Sequence, residues 1–173
     1  MGPFRASATR GVLDYFEQCL DATQLTWPEA IDRVEVLEAE LKKRSTGTLG
    51  KFTTMPLTLF SPVIANQFIA GARAESRTNI TVLALAAARY RLRQGHLPNN
   101  LDDISPEFLP PSVADVRIDH FDGQPLRFKS DDTGITIYSI GGDLKDDGGE
   151  IKVTPGTEKR RRAIRSFTLP PGS

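Results

Sequence analysis

The sequence predicts an α+β fold: an N-terminal helical hairpin, a long helix, and a small C-terminal antiparallel sheet packed on that helix. Three observations predict it. Apolar residues recur at helical spacing through most of the chain up to Gln94. Gly95 then marks an abrupt change, into the proline-rich "HLPNNLDDISPEFLPPSVADV". Short apolar or alternating runs follow, separated by turns bearing Asp and Gly. Helices first and strands last is an α+β order.

In the first helix, Arg10 to Ala22, the apolar stripe is Val12, Leu13, Phe16, Cys19 and Leu20, with Thr9 as N-cap. "TWPE", Thr26 to Glu29, opens the second. Thr26 is placed to cap, Glu29 to reach back, and proline sits in the first turn, where it loses no hydrogen bond. Trp27 is expected to staple this start. Ile31, Val34, Leu37 and Leu41 share one face, and Gly47 and Gly50 are expected to end the helix. The two helices form an antiparallel pair joined by a short loop.

Ser45 to Thr58 is expected to be an irregular linker, rich in Thr and Gly. The predicted domains are therefore 1–58, hairpin plus linker, and 59–173, long helix plus sheet. Ser61 and Pro62 fit the N-cap and first position of a helix running to Gln94, about 50 Å long. Its middle, Arg73 to Asn79, is polar all round and is expected to be solvated. Further on, Ile80, Leu83, Ala87 and Tyr90 make one stripe, with Val82, Leu85 and Ala86 beside it. The alanines let a sheet approach closely.

After Gly95, the spacing of Leu97, Leu101, Ile104, Phe108 and Leu109 predicts an ordered loop pinned by buried side chains. Strands are expected at Val116–Ile118, Leu126–Lys129 and Gly134–Ile140, and near Ala163–Thr168. "SDDTG" is the hairpin turn between the second and third, with Gly134 suited to positive φ. "ITIYSI" sets Ile135, Ile137 and Ser139 on one face and Thr136, Tyr138 and Ile140 on the other.

Acidic and basic residues balance at 22 each, so no global field steers the chain toward nucleic acid or anionic lipid. "KRRRAIR", Lys159 to Arg165, is the local exception and reads as a solvated strand edge. Cys19 is the sole cysteine, which excludes an intrachain disulfide and a cysteine-based zinc site; it is expected to be buried. The start lacks the apolar core of a signal peptide. Met55 to Ala72, interrupted by two prolines, Asn66 and Gln67, is a poor spanning helix.

Three segments in order, "LALAAARYRLRQGHLPNNLDDI", "FDGQPLRF" and "GITIYSIGGDLKDDGG", carry a resemblance. Tyr90, Gly95, Leu97–Pro98, Leu101, Asp119, Phe121, Gly123, Pro125, Tyr138, Ser139 and Gly141 follow the order seen in the soluble part of type II secretion major pseudopilins. The set is also similar to a group of uncharacterised bacterial proteins common in planctomycetes. It spans about residues 80–150. "GKFTTMPLTLF" echoes a prepilin peptidase site only in spacing, lacks its glutamate and lies inside the chain, and the first 50 residues have no counterpart.

The resemblance implies a pseudopilin-like fold and an extracytoplasmic, non-enzymatic structural or assembly role among protein partners. No nucleic acid is implied, and a membrane would be reached only through a segment outside this sequence. A second reading is a soluble scaffold or binding module that reuses the fold without a secretion role. A third is a hydrolase built on Asp119, His120 and Asp122, although the resemblance makes these a turn whose aspartates cap backbone N–H groups. His96, beside Leu97–Pro98, is expected to pack.

The resemblance also implies calcium in the acidic loop "YSIGGDLKDDGGE". Calcium takes about six to eight oxygens on a backbone able to wrap it. Asp143, Asp146 and Asp147 supply carboxylates at i, i+3 and i+4, and four glycines let carbonyls turn inward. The spacing is not that of an EF-hand. The resemblance places the site between Ser139 and Asp147, so the expected ligands are Asp143, Asp146, Asp147 and Ser139, with Glu150 as a further donor.

Overall fold

A computed structural model describes residues 3–45, 48–104, 107–109, 116–131, 134–149 and 166–170. The architecture is α+β. Three helices, α1 (Pro3–Ala22), α2 (Trp27–Arg44) and α3 (Thr48–Gln94), precede three strands, β1 (Arg127–Asp131), β2 (Gly134–Tyr138) and β3 (Ser166–Leu169). The chain forms two compact units, 1–71 and 72–173, so the division falls within α3.

In the first unit, Glu29 Oε2 accepts from the Thr26 N–H at 3.1 Å and from its hydroxyl at 2.7 Å, the reach-back expected of "TWPE". These bonds lower the Glu29 pKa, the hydroxyl bond contributing most. Arg33 donates to Gln18 Oε1 at 2.8 Å, and Tyr15 and Cys19 share a buried cluster with Leu37, Leu41 and Leu57. Residues nearer the chain start thus meet residues later in α2, the inverse order of an antiparallel pair. Burial pushes the Tyr15 hydroxyl and the Cys19 thiol up.

Cys19 is buried as expected, but the stripe around it is not. Leu13, Phe16 and Leu20 are exposed, and α1 turns Tyr15, Cys19 and Ala22 inward instead. Helical periodicity accommodates either stripe, since both repeat every three or four residues. Thr9 lies inside α1, which begins at Pro3.

Ser45 to Thr58 is not a linker throughout: α3 is helical from Thr48 and carries Pro56 and Pro62 in its interior. Each proline takes one N–H out of the ladder, and tertiary packing overrides that cost, with Leu57 buried in the first unit's core. Trp27 is more than a staple. Its ring lies across α3 at Gly71, where an added Cβ would fall 2.3 Å from the indole.

In the second unit, Ile80, Leu83, Ala86 and Ala87 of α3 pack with Ile135 and Ile137 of β2, with Ile104, Phe108 and Leu109 of the loop, and with Val116 and Leu126. Tyr90 packs at the edge of this core, its ring edge-on to Phe108. Leu85, expected beside the stripe, is exposed. In the loop, Asn100 Oδ1 accepts from the N–H groups of Asp102 and Asp103, a local turn that holds Leu101 and Ile104 inward.

The sheet is antiparallel in the order β1-β2-β3, with Phe128 opposite Ile137 and Ile137 opposite Phe167. Gly134 has φ 130°, the positive value expected. Val116–Ile118 is not a strand. Only Ile118 pairs, as an isolated bridge to Pro125, because the intervening residues form a tight turn rather than a ladder. "KRRRAIR" and Glu150 lie outside the described residues. Among those described, no helix is long and apolar enough to cross a membrane.

Candidate functional site

The turn "DHFDGQP" and the end of β2 meet at Asp119, whose side chain is 0% exposed. The local fold explains the placement. Asp119 N–H donates to the Gln124 carbonyl at 2.7 Å and its own carbonyl accepts from Gly123 at 2.9 Å, closing the turn. Gly123 supplies φ 70°. The carboxylate then points inward. Oδ1 accepts from Phe121 N–H at 3.1 Å and from the Ser139 hydroxyl at 2.8 Å, and Oδ2 accepts from Ile140 N–H at 2.9 Å. Arg127 lies 3.6 Å from Oδ2. A buried carboxylate is tolerated when its lone pairs are filled in this way.

Arg127, at the start of β1, ties the turn to the sheet. It makes a two-nitrogen contact with Asp122, at 2.6 and 3.2 Å, and donates to the Pro125 carbonyl. Burial works against the Asp122 carboxylate, but bonds from Arg127 and the Gln124 N–H hold its pKa below the ordinary value. The bond to Asp122 in turn raises the Arg127 pKa. His120 faces α3, with Nε2 3.0 Å from Asn79 Nδ2 and 3.5 Å from Glu75. Asn79 also donates to the Ile118 carbonyl. The residues weighed as a hydrolase centre are thus each engaged in joining a turn, a strand and a helix. His96 is exposed, stacked edge-on against Tyr90.

The acidic loop begins at the other end of the same network. Ser139 is buried, and its hydroxyl donates to Asp119 while accepting from Gly141 N–H at 3.1 Å. It therefore belongs to the Asp119 network, apart from the carboxylates expected to share an ion with it. Asp146 Oδ1 accepts from the Tyr138 hydroxyl at 3.0 Å and from Gly148 N–H at 2.9 Å. The Gly148 bond, then the Tyr138 bond, hold the Asp146 pKa below the ordinary value. Burial, then Asp146, raise the Tyr138 pKa.

Gly149, at φ 78°, lies on the Tyr138 ring, where an added Cβ would come within 3.0 Å. The loop therefore folds back over the face of β2 opposite the core. Asp146 Oδ2 accepts no hydrogen bond among the described residues, Asp147 is half-buried, and Asp143 is exposed but already engaged within the protein. Positive φ at Gly141, Leu144, Gly148 and Gly149 gives the backbone the bends of a wrapping loop. Among the described residues no three His, Cys, Asp or Glu side chains stand gathered for a metal ion. Hard oxygen donors of this kind suit calcium; Asp146 Oδ2 and Asp147 stand in this loop, while the Ser139 hydroxyl is already spent on Asp119.

Comparison with protein-family models, curated proteins and solved structures finds no match.

Sequence reasoning placed the Asp119 turn and the acidic loop correctly in the chain. It missed Arg127, whose signal was a cation opening a strand five residues after Asp122. The bond between Tyr138 and Asp146 left no sequence signal, since the partners stand eight positions apart across a loop. The polar middle of α3 is not solvated throughout either: Ser76 is 2% and Asn79 9% exposed. The turn after Ile118 and the segment after β2 lie against these polar residues.

Proposed function

We propose that the chain is a non-enzymatic α+β module with a structural or assembly role, pseudopilin-like in its second unit and acting extracytoplasmically through protein partners. The observation that carries this reading is the engagement of Asp119. Asp119, one of the three residues weighed as a hydrolase centre, is fully enclosed, and its oxygens are occupied by two backbone N–H groups and a serine hydroxyl. A general acid or base needs access to a substrate proton. Asp122 and His120 are likewise committed, to Arg127 and to Asn79 and Glu75.

The acidic loop is a calcium site in this reading. Asp146 and Asp147, with Asp143, hold the ion and keep the loop over Tyr138, so calcium closes the outer face of the sheet. Thermal unfolding of the full chain against calcium concentration tests it. Saturable stabilisation is expected, by about 2.7 kcal/mol at a hundredfold excess over Kd, absent from the Asp146→Asn, Asp147→Asn double variant. No response across the millimolar range, or an equal response in the double variant, overturns the calcium assignment.

A further inference from the structure

One face of α3 and two turns of the second unit enclose a small cleft lined by Arg73, Ser76, Arg77, Phe121, Ser139 and Gly141. Ser76 and Arg77 lie three and four residues after Arg73, so each neighbours it on the helix surface. Ser76 is 2% exposed, and among the described residues neither its Oγ nor the buried Nε of Arg77 has a hydrogen-bond partner. An unmade buried donor is costly, and native structures hold few of them. Both residues line one cleft, and together they point to an acceptor that no described residue provides.

The other polar groups here are occupied: the Ser139 hydroxyl donates to Asp119, and the Gly141 N–H donates to Ser139. Among the described residues no carboxylate forms an ion pair with Arg77. Arg73, itself engaged in an interaction within the protein, adds a second positive charge at the rim.

We propose that this cleft binds a carboxylate, one oxygen seated between the Ser76 hydroxyl and Arg77 Nε–H and the other on the outer guanidinium donors. The planar fork of a guanidinium matches the two oxygens of a carboxylate. The enclosed space, about 10 Å³, admits a single oxygen and leaves the rest of the ligand outside. A water molecule could accept from both donors but would bring no negative charge to the guanidinium. An acidic side chain or C-terminus of a polypeptide presents the same two oxygens as a free small acid. The inference is independent of calcium, since Asp143, Asp146 and Asp147 do not line the cleft.

The test is an NMR titration of the full chain, followed at the Arg77 Nε–H and Ser76 amide resonances, at constant ionic strength. Acetate and a short glutamate-containing peptide are the probes, and the glutamine version of the peptide is the control. Saturable shifts with both probes and none with the control are expected. Tighter binding of the peptide assigns the site to a polypeptide; equal binding per carboxylate assigns it to small acids. Arg77→Gln is expected to weaken binding on the order of tenfold or more, and Ser76→Ala several-fold. If Arg77→Gln loses its folded spectrum, Arg77→Lys replaces it, keeping the charge and losing the fork, and wild-type affinity there overturns the proposed geometry. A linear response no different from that to chloride overturns the site, as does a response to inorganic phosphate without one to acetate.

Discussion

Replacing Asp119 by asparagine keeps the shape of the side chain and turns one acceptor oxygen into a donor. Both oxygens of Asp119 accept from backbone N–H groups, Oδ1 from Phe121 and Oδ2 from Ile140. Whichever way the new amide is placed, its NH2 faces one of these donors, and only the Ser139 hydroxyl can rotate to adapt. One buried N–H then loses its partner, at a cost of about 1–3 kcal/mol. Asp119→Ala strands both, so its expected cost is about 2–6 kcal/mol before any cavity term. Urea unfolding read from resolved β2 amides, such as that of Ile137, measures the effect in the unit that contains the network. The sole tryptophan, Trp27, reports on the other unit. Equilibrium midpoints should fall in the order wild type, Asn, Ala, with unchanged denaturant slope. An alanine variant within about 0.5 kcal/mol of wild type, the range of ordinary surface changes, refutes the structural account of Asp119.

Gly71→Ala is expected to destabilise the first unit although alanine is favoured in helices by about 1 kcal/mol, because the added carbon would lie 2.3 Å from Trp27 Cη2 and 2.9 Å from Cζ3. Overpacking of this kind costs about 1–3 kcal/mol, and Trp27 fluorescence should shift to the red as the indole is displaced. In a Trp27→Ala background the same substitution should turn stabilising; destabilisation there would place the clash elsewhere. The Asp146 carboxyl, held below its ordinary pKa by Gly148 and Tyr138, contributes loop stability that is complete above the unfolded carboxylate value and lost as pH falls through the lower folded value. Tyr138→Phe should move the Asp146 titration up toward the ordinary range in a carboxyl NMR pH series, and an unmoved titration would show that the hydroxyl bond is not formed in solution. Leu83→Ala, at the centre of the second unit's core, should cost about 2–5 kcal/mol, read at the same β2 amides.

The α+β order, the start of α2, the end of α3 and the positions of β1 and β2 were legible because each rests on a local signal: a capping box, a terminating glycine at Gly95, a hairpin turn. Gly50, expected to end α2, lies inside α3, and α2 ends at Arg44 with Ser45 as its cap. The misplaced features depend on contacts distant in sequence. The exposed Leu13, Phe16 and Leu20 compete with Tyr15, Cys19 and Ala22 for the inner face of α1, and the choice lies with Leu37, Leu41 and Leu57. Pro56 and Pro62 argue locally against a continuous α3 and are overruled by packing. Aspartates at 119, 122, 143, 146 and 147 all look alike in sequence. Only the fold separates the one that is fully enclosed from those left at the surface.

That separation bears on why the sheet is stable at all. Three strands of four or five residues bury too little by themselves, and small isolated sheets need a covering layer. Ile135 and Ile137 bury one face of β2 against Ile80 and Leu83. The other face, at Tyr138, is covered by the acidic loop through the Asp146 bond and the close approach of Gly149. Asp119 links both arrangements, since it binds the backbone just past β2 through Ile140 and the start of that loop through Ser139. The acidic loop therefore has a structural task before any ion is considered. Calcium on Asp146 Oδ2 and Asp147 would strengthen a closure that the hydrogen bonds already define, and the variants at Tyr138 and at Asp146 with Asp147 separate the two contributions.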